Sequence, residues 1–368
     1  MPSDRIDERA FAVVYHSESE ALRWLMHGLS QQLRDHGFYP QQDATGVRIA
    51  FNVTDKESPV PLHRKAQATF LIGVTEWAQQ PENVLQAGYK TLVSSLSNMV
   101  LLLICPPEGR RQVHFVTPEL GHYEVTYAGD EAAFFGELYE RLAPLATSHL
   151  VIDNIYDPDL PPALWDGDEK TRSISWAGRK LAAMHLLPTP FPLEEVLDEH
   201  ERRHIMKIFG IGGLSYGNIS CREEDGRFWM SASGVDKSKL EQVGRDILLV
   251  KGYDAQHNAM RLSVRPDLSP RRVSVDAIEH WMVYQEHPEI GAIVHVHTWM
   301  EGIPTTQVNY PCGTREVGLA VSELLRQQPD PGHAVLGLKN HGINITGESI
   351  EEIFERVGDR ILPTVPMS

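Results

Sequence analysis

Ala292-Ile-Val-His-Val-His-Thr298 reads as a short buried strand that ends in two imidazoles. A strand alternates its side chains, so His295 and His297, two positions apart, project from one face and can hold one ion between them. A second apolar run, Ala334-Val-Leu-Gly-Leu338, leads into Lys339-Asn-His-Gly342, which places His341 to close the site from a neighbouring strand. Three neutral imidazoles suit zinc first, with manganese, iron or cobalt as alternatives. They leave a coordination position open for a substrate oxygen or water, which is a catalytic arrangement more than a structural one. In a chain with 17 histidines an H-x-H also arises by chance, so the surrounding motifs decide its meaning.

Upstream lie Ser215-Tyr-Gly-Asn-Ile-Ser-Cys-Arg222, then Trp229-Met-Ser-Ala-Ser-Gly-Val235, then Val273-Ser-Val-Asp-Ala-Ile-Glu-His280. Read in order with the histidines, these motifs resemble the class II aldolase/adducin family over residues 192–357. The resemblance implies an α/β/α domain with a mainly antiparallel sheet. It also implies a divalent ion on His295, His297 and His341, and a homo-oligomer, tetramers included, in which residues from two subunits line the site. The family's Gly-Asn turn, matched by Gly217-Asn218, belongs to a phosphate pocket. So does its Ser/Thr-Gly turn, matched by Ser233-Gly234, and a serine pair beginning at Ser274. Here Val275 stands where aldolases often carry the second serine, which removes one donor. Asp276 occupies the place of the family's acid, close to the ion as a ligand and as the proton-transfer group.

The bottom-up reading of these residues runs beside the resemblance. Glycine permits close backbone approach and asparagine supplies an amide donor, so Gly217-Asn218 suits an oxyanion, although in isolation it is an ordinary turn. Asp276 by itself reads as a helix N-cap ahead of Ala277-Ile-Glu-His-Trp-Met-Val-Tyr284, and Glu279, one helical turn on, is an alternative acid. An ion that polarises a carbonyl and an adjacent hydroxyl stabilises an enediolate, the intermediate of retro-aldol cleavage; epimerisation, dehydration and decarboxylation use the same platform. A second proton donor is sought in Glu301 or Tyr310, since the segment after His297 looks shortened and the chain stops soon after residue 357.

The chain has 368 residues, 42% hydrophobic and 23% charged, the composition of a soluble globular protein of two domains. No apolar stretch is long enough for a bilayer, and the charged first residues lack a signal-peptide core, so no membrane partner and a cytoplasmic location are expected. A net charge of -16 argues against nucleic acid and directs attention to a small-molecule substrate. Cys105, Cys221 and Cys312 show no disulfide spacing, and Cys312, close after the histidines, reads as a reduced structural thiol, with an approach to the site as the alternative.

Residues 1–150 alternate strand-like runs (10–15, 47–53, 68–74 and 98–104) with helical stretches at 17–36 and 130–146, which predicts a Rossmann-like parallel sheet. Neither a G-x-G-x-x-G nor a Walker-type phosphate loop is present there, so the role of this domain is open. Residues 151–190 read as an acidic, proline-rich connection followed by a helix, with a further helix at 193–209. The aldolase-like, metal-binding domain is placed at 191–368. The functional expectation is a metal-dependent lyase or epimerase acting on a small phosphorylated hydroxy-carbonyl compound. The alternatives are a non-catalytic, adducin-like interaction protein and a small-molecule sensor.

Overall fold

In a computed structural model, the chain is described at all residues except 1–5, 64–68, 118–121, 152, 188–197, 201–202, 204–215, 358–359, 364 and 368. Most of the helix expected at 193–209, of which residues 199, 200 and 203 are described and helical, and the first part of the glycine-rich segment ahead of Tyr216 lie outside the described residues. The chain divides into two compact units: residues 1–148 with 191–204 and 367–368, and residues 149–190 with 205–366.

The first unit is built on β1 (Asp7–Tyr15), β2 (Tyr39–Gln41), β3 (Val47–Val53), β4 (Phe70–Trp77), β5 (Met99–Ile104), β6 (Gln112–Val116) and β7 (His122–Thr126), in the order β2-β1-β3-β4-β5-β6-β7. The strands from β2 to β5 are parallel, as the alternation of strands and helices predicts. The antiparallel strands β6 and β7, too short to stand out in the sequence, extend the sheet. Helix α1 (Glu20–Asp35) buries Leu22, Leu25, Met26, Leu29 and Leu33, a 3.6-residue stripe. That stripe meets Phe134, Leu138 and Leu142 of α3 (Glu131–Thr147) and the Phe11, Ile49, Phe51 and Ile72 face of the sheet. Helix α2 (Val84–Ser94) covers the opposite face, where Gly88 lets it approach Leu102 and Val116.

The second unit holds an eight-stranded sheet. In chain order its elements are β8 (Asp153–Asp157), α4 (Glu169–Ala183), β9 (Asn218–Arg222), β10 (Phe228–Ser231), β11 (Ile247–Asp254), β12 (Ala259–Ser263), α5 (Ala277–Glu286), β13 (Ala292–Val296), α6 (Arg315–Arg326), β14 (Val335–Leu338), β15 (Gly342–Gly347) and α7 (Ile350–Val357). The sheet order is β14-β15-β13-β9-β10-β11-β12-β8, antiparallel throughout except for the β12–β8 pair. Sequence alternation sorts the faces: Ser220 of β9 hydrogen-bonds His280 and Tyr284 of α5, whereas α4 and α7 pack together against β9 and β15 on the other side. This is the expected α/β/α sandwich with a mainly antiparallel sheet. One stretch departs from the sequence reading. Asp153–Asp157, read as exposed connection, is an edge strand whose Asp157 pairs with Lys251 and Arg261. Its acidic composition is compatible with a strand because an edge leaves side chains in water and neighbouring cations balance them. The helix after it, α4, starts with a capping box between Asp168 and Thr171 and belongs to this second unit.

Candidate metal centre

All five residues of β13 are buried, and the strand ends one residue before His297. Two glycines let the chain close around that end. A Cβ on Gly217 would stand 2.3 Å from the carbonyl oxygen of His295, and one on Gly342 would stand 2.4 Å from that of Val296. Gly217 also has φ +82°, a conformation that side chains disfavour. Between β14 and β15 a tight turn with Asn340 at φ +58° presents His341.

The three imidazoles converge. Ring centroids are 5.1 Å apart for His295 and His297 and 4.7 Å apart for the pairs that include His341. One ligating atom from each lies within 4.8 Å of the others, and among the described residues this is the group of histidine, cysteine and carboxylate side chains close enough to share an ion. His295 Nδ1 donates to the Ile343 carbonyl at 3.1 Å and to Asn344 Oδ1 at 2.9 Å. That tautomer leaves Nε2 with a bare lone pair, and Nε2 is buried without a hydrogen-bond partner. His341 Nε2 faces His297 Nε2 at 3.2 Å, a separation at which two lone pairs require a proton or a cation between them. Burial holds His295 and His341 below the usual histidine range, and the neighbouring imidazoles push His341 down further, so these rings are neutral and ready to bind. The donor set therefore fits a divalent ion.

Asn344 carries the network outward, donating from Nδ2 to Glu279 Oε1. Burial first, and the charge of Asp276 second, raise the Glu279 carboxyl well above the usual carboxylate range. Glu279 is thus a buried group that orients a ligand's partner. Asp276 occupies the N-cap position of α5 but makes no capping hydrogen bond. Its Oδ2 accepts from Asn218 Nδ2 at 2.7 Å and its Oδ1 from the Gly313 amide at 3.2 Å. Asp276, expected as a metal ligand, lies outside the group of atoms that share the triad's space.

The residues expected to bind an anion fall into two sets. Ala232 bridges Val273, the Ser233 amide donates to the Arg272 carbonyl, and the Ser274 amide donates to the Ser231 carbonyl, so the Ser233-Gly234 turn and Ser274 are brought side by side. Asn218, by contrast, is 1% exposed and spends its amide on Asp276. Gly217 admits the His295 carbonyl. Glu301 is exposed in the turn after β13, and Tyr310 packs against the apolar core.

Two neighbours escaped the sequence reading, and a third was read there first as a structural thiol. Lys237, three residues beyond Gly234, is buried; burial lowers its pKa to about 8, and Asp276 and Asp236 oppose that shift. Tyr216 stands with its ring 5.1 Å from that of His297. Cys312, expected to be a structural thiol, has Sγ 3.1 Å from His341 Nε2. The sequence signal for Lys237 was its place two residues after the Trp229–Val235 motif; the other two depend on contacts across the fold.

An α/β/α sandwich whose central strand ends in a histidine triad beside a buried acid defines a metal-site domain of the aldolase type. Residues 202–358 match the Class II Aldolase and Adducin N-terminal domain, and that part of the chain belongs to this family. The chain is similar to a methylthioribulose-1-phosphate dehydratase of Leptospira biflexa serovar Patoc, 28% identical over 158 residues, which are 41% of this chain and 69% of the relative. It is also similar to one of Klebsiella pneumoniae, 33% identical over 82 residues, 22% of this chain and 35% of the relative. Among solved structures, the Klebsiella pneumoniae protein YgbL aligns at 18% identity and a TM-score of 0.34, covering 53% of this chain and 92% of its own. An L-fuculose 1-phosphate aldolase aligns at 15% identity and a TM-score of 0.34, covering 54% and 92%.

Proposed function

We propose that the protein is a divalent-metal lyase of the aldolase or dehydratase type that acts on a small phosphorylated hydroxy-carbonyl compound through an enediolate. The observation that carries this reading is the triad itself. Three imidazoles, two of them buried, converge, and the tautomer of one is set by a dedicated Asn344–Glu279 relay, an arrangement that a pure scaffold has no physical need for. A bound divalent ion would supply Lewis acidity toward a carbonyl and a neighbouring hydroxyl.

Asp276 is the proton-transfer group on this reading. Asn218 and the Gly313 amide fix its plane, and Lys237 is buried within electrostatic reach of it. Ser233 and Ser274 offer hydroxyls, and the Gly234 turn an amide, for the phosphate, with Lys237 as a buried cation in the same neighbourhood. Dehydration is favoured over aldol cleavage because the two sequence relatives named above are methylthioribulose-1-phosphate dehydratases. Zinc is the ion of choice for three imidazoles, and the assembly proposed is a homo-oligomer.

Metal analysis paired with a substrate screen tests the reading. The purified or metal-supplemented protein is expected to hold about one divalent ion per chain, and His297→Ala to lose it while far-ultraviolet circular dichroism stays unchanged. Methylthioribulose 1-phosphate and fuculose 1-phosphate, each beside its unphosphorylated analogue, then separate the reactions. Failure of the wild type to bind any ion sinks the enzyme reading. Equal turnover of the unphosphorylated analogues rejects the phosphate pocket alone.

A further inference from the structure

We propose that the thiolate of Cys312 is the fourth protein ligand of the ion held by His295, His297 and His341; the inference rests on the metal-site reading above. Cys312 Sγ lies 3.1 Å from His341 Nε2, the same nitrogen that faces His297 Nε2 at 3.2 Å. In a tetrahedral site with bonds of about 2.0–2.1 Å to nitrogen and about 2.3 Å to sulfur, neighbouring donor atoms stand about 3.3–3.6 Å apart. Both observed separations are close to that spacing. The sulfur meets the triad at one corner and is not among the donor atoms that lie within 4.8 Å of one another. Rotation about the single χ torsion of cysteine carries it from the His341 ring toward an ion on that nitrogen.

Two independent observations support a donor at this place. His295 is 1% exposed, and its Nε2 is buried with no hydrogen-bond partner, which marks a position for a cation. The backbone that carries Cys312 is also anchored on both sides. Gly313 donates its amide to Asp276 and accepts from the Val151 amide at 2.7 Å, while Thr314 donates its hydroxyl to the Pro311 carbonyl at 2.8 Å and caps α6. Asp276, the carboxylate expected at the fourth position, already has both oxygens engaged. Ion uptake replaces the S–H bond by a sulfur–metal bond and releases that proton to solvent. A set of three imidazoles and one thiolate selects zinc, cobalt or iron over manganese and magnesium, and substrate then enters by expanding the coordination shell.

Cobalt(II) titrated into metal-free, full-length protein is the probe. Wild type is expected to develop a near-ultraviolet thiolate-to-cobalt charge-transfer band that saturates at about one ion per chain. Cys312→Ser should still bind cobalt through the histidines, without the band and at least about tenfold more weakly, while Cys105→Ser keeps the band. Iodoacetamide labelling of the wild type, read by mass spectrometry, needs no variant: zinc should shield Cys312 and leave Cys105 unchanged. Cobalt bound without the band, a band that survives Cys312→Ser, or equal labelling of Cys312 with and without zinc overturns the thiolate ligand and leaves the triad standing. No cobalt bound by the wild type overturns the ligand and the metal reading together.

Discussion

Asp276 shows how one residue is assigned by what its atoms touch. In sequence it reads by itself as a helix cap and, through the family resemblance, as an acid. In the fold the cap is not made, and its oxygens go to Asn218 and Gly313 instead. Two donors on a carboxylate hold it aimed, the geometry a base needs. Asp276→Asn is accordingly expected to lower turnover about a hundredfold on the substrate identified by the screen while ion content is retained. Steady-state kinetics beside metal analysis check this. Undiminished turnover would move the proton-transfer role to Glu279.

At the level of elements, the site depends on how closely the neighbours of β13 approach its end. Gly217 precedes β9 and Gly342 opens β15, and in each case the missing Cβ is where a β13 carbonyl lies. Gly217→Ala, where backbone strain and a clash add, and Gly342→Ala, where the clash acts alone, should each lower stability by roughly 2–4 kcal/mol and should weaken ion binding by displacing the strand end. Gly226→Ala is the control: φ is +86° there, but nothing stands within 4 Å of the added Cβ, so only a conformational cost of about 1 kcal/mol is expected. Urea denaturation of the three variants decides between close approach and backbone strain. Equal losses in all three would remove the argument for close approach.

Two properties belong to whole units. In the first, the N-terminus of α1 follows β1, a place where parallel sheets often take a phosphate. Here Ser19 occupies it, accepting from the Leu22 amide and donating to Glu76, and Glu20 adds negative charge. Calorimetry is expected to find no micromolar binding of NAD or ATP, about -8 kcal/mol; a clear isotherm in that range would refute this. In the second unit, His280 is fully buried, and burial, then His295, lowers its pKa to about 3. An unfolded histidine takes up a proton near pH 6.5 that the folded one refuses until about pH 3, so stability is complete above the first value and falls as pH drops toward the second. The loss from His280 is about 2 kcal/mol near pH 5, and His280→Gln should take up about one proton fewer on acid unfolding. Denaturation of the metal-free protein at several pH values measures it, and an unchanged slope in the variant would sink the assignment.

The sequence by itself determined the local terms: the β13 strand with its two-residue histidine spacing, the leucine stripe of α1, the parallel alternation of the first unit and the ordered motifs of the second. These were legible because periodicity, length and turn residues are properties of adjacent positions. Only the tertiary structure decided that Asn218 serves Asp276 more than an anion, that Lys237 is buried beside that acid, that Asp153–Asp157 closes a sheet edge, and that Cys312 reaches His341. Each of these depends on strand register and packing between distant segments, as when His295 is set opposite Asn218 on one side and Asn344 on the other. Short-range patterns carry no record of which remote side chain arrives across the sheet; the burial of the whole core selects it.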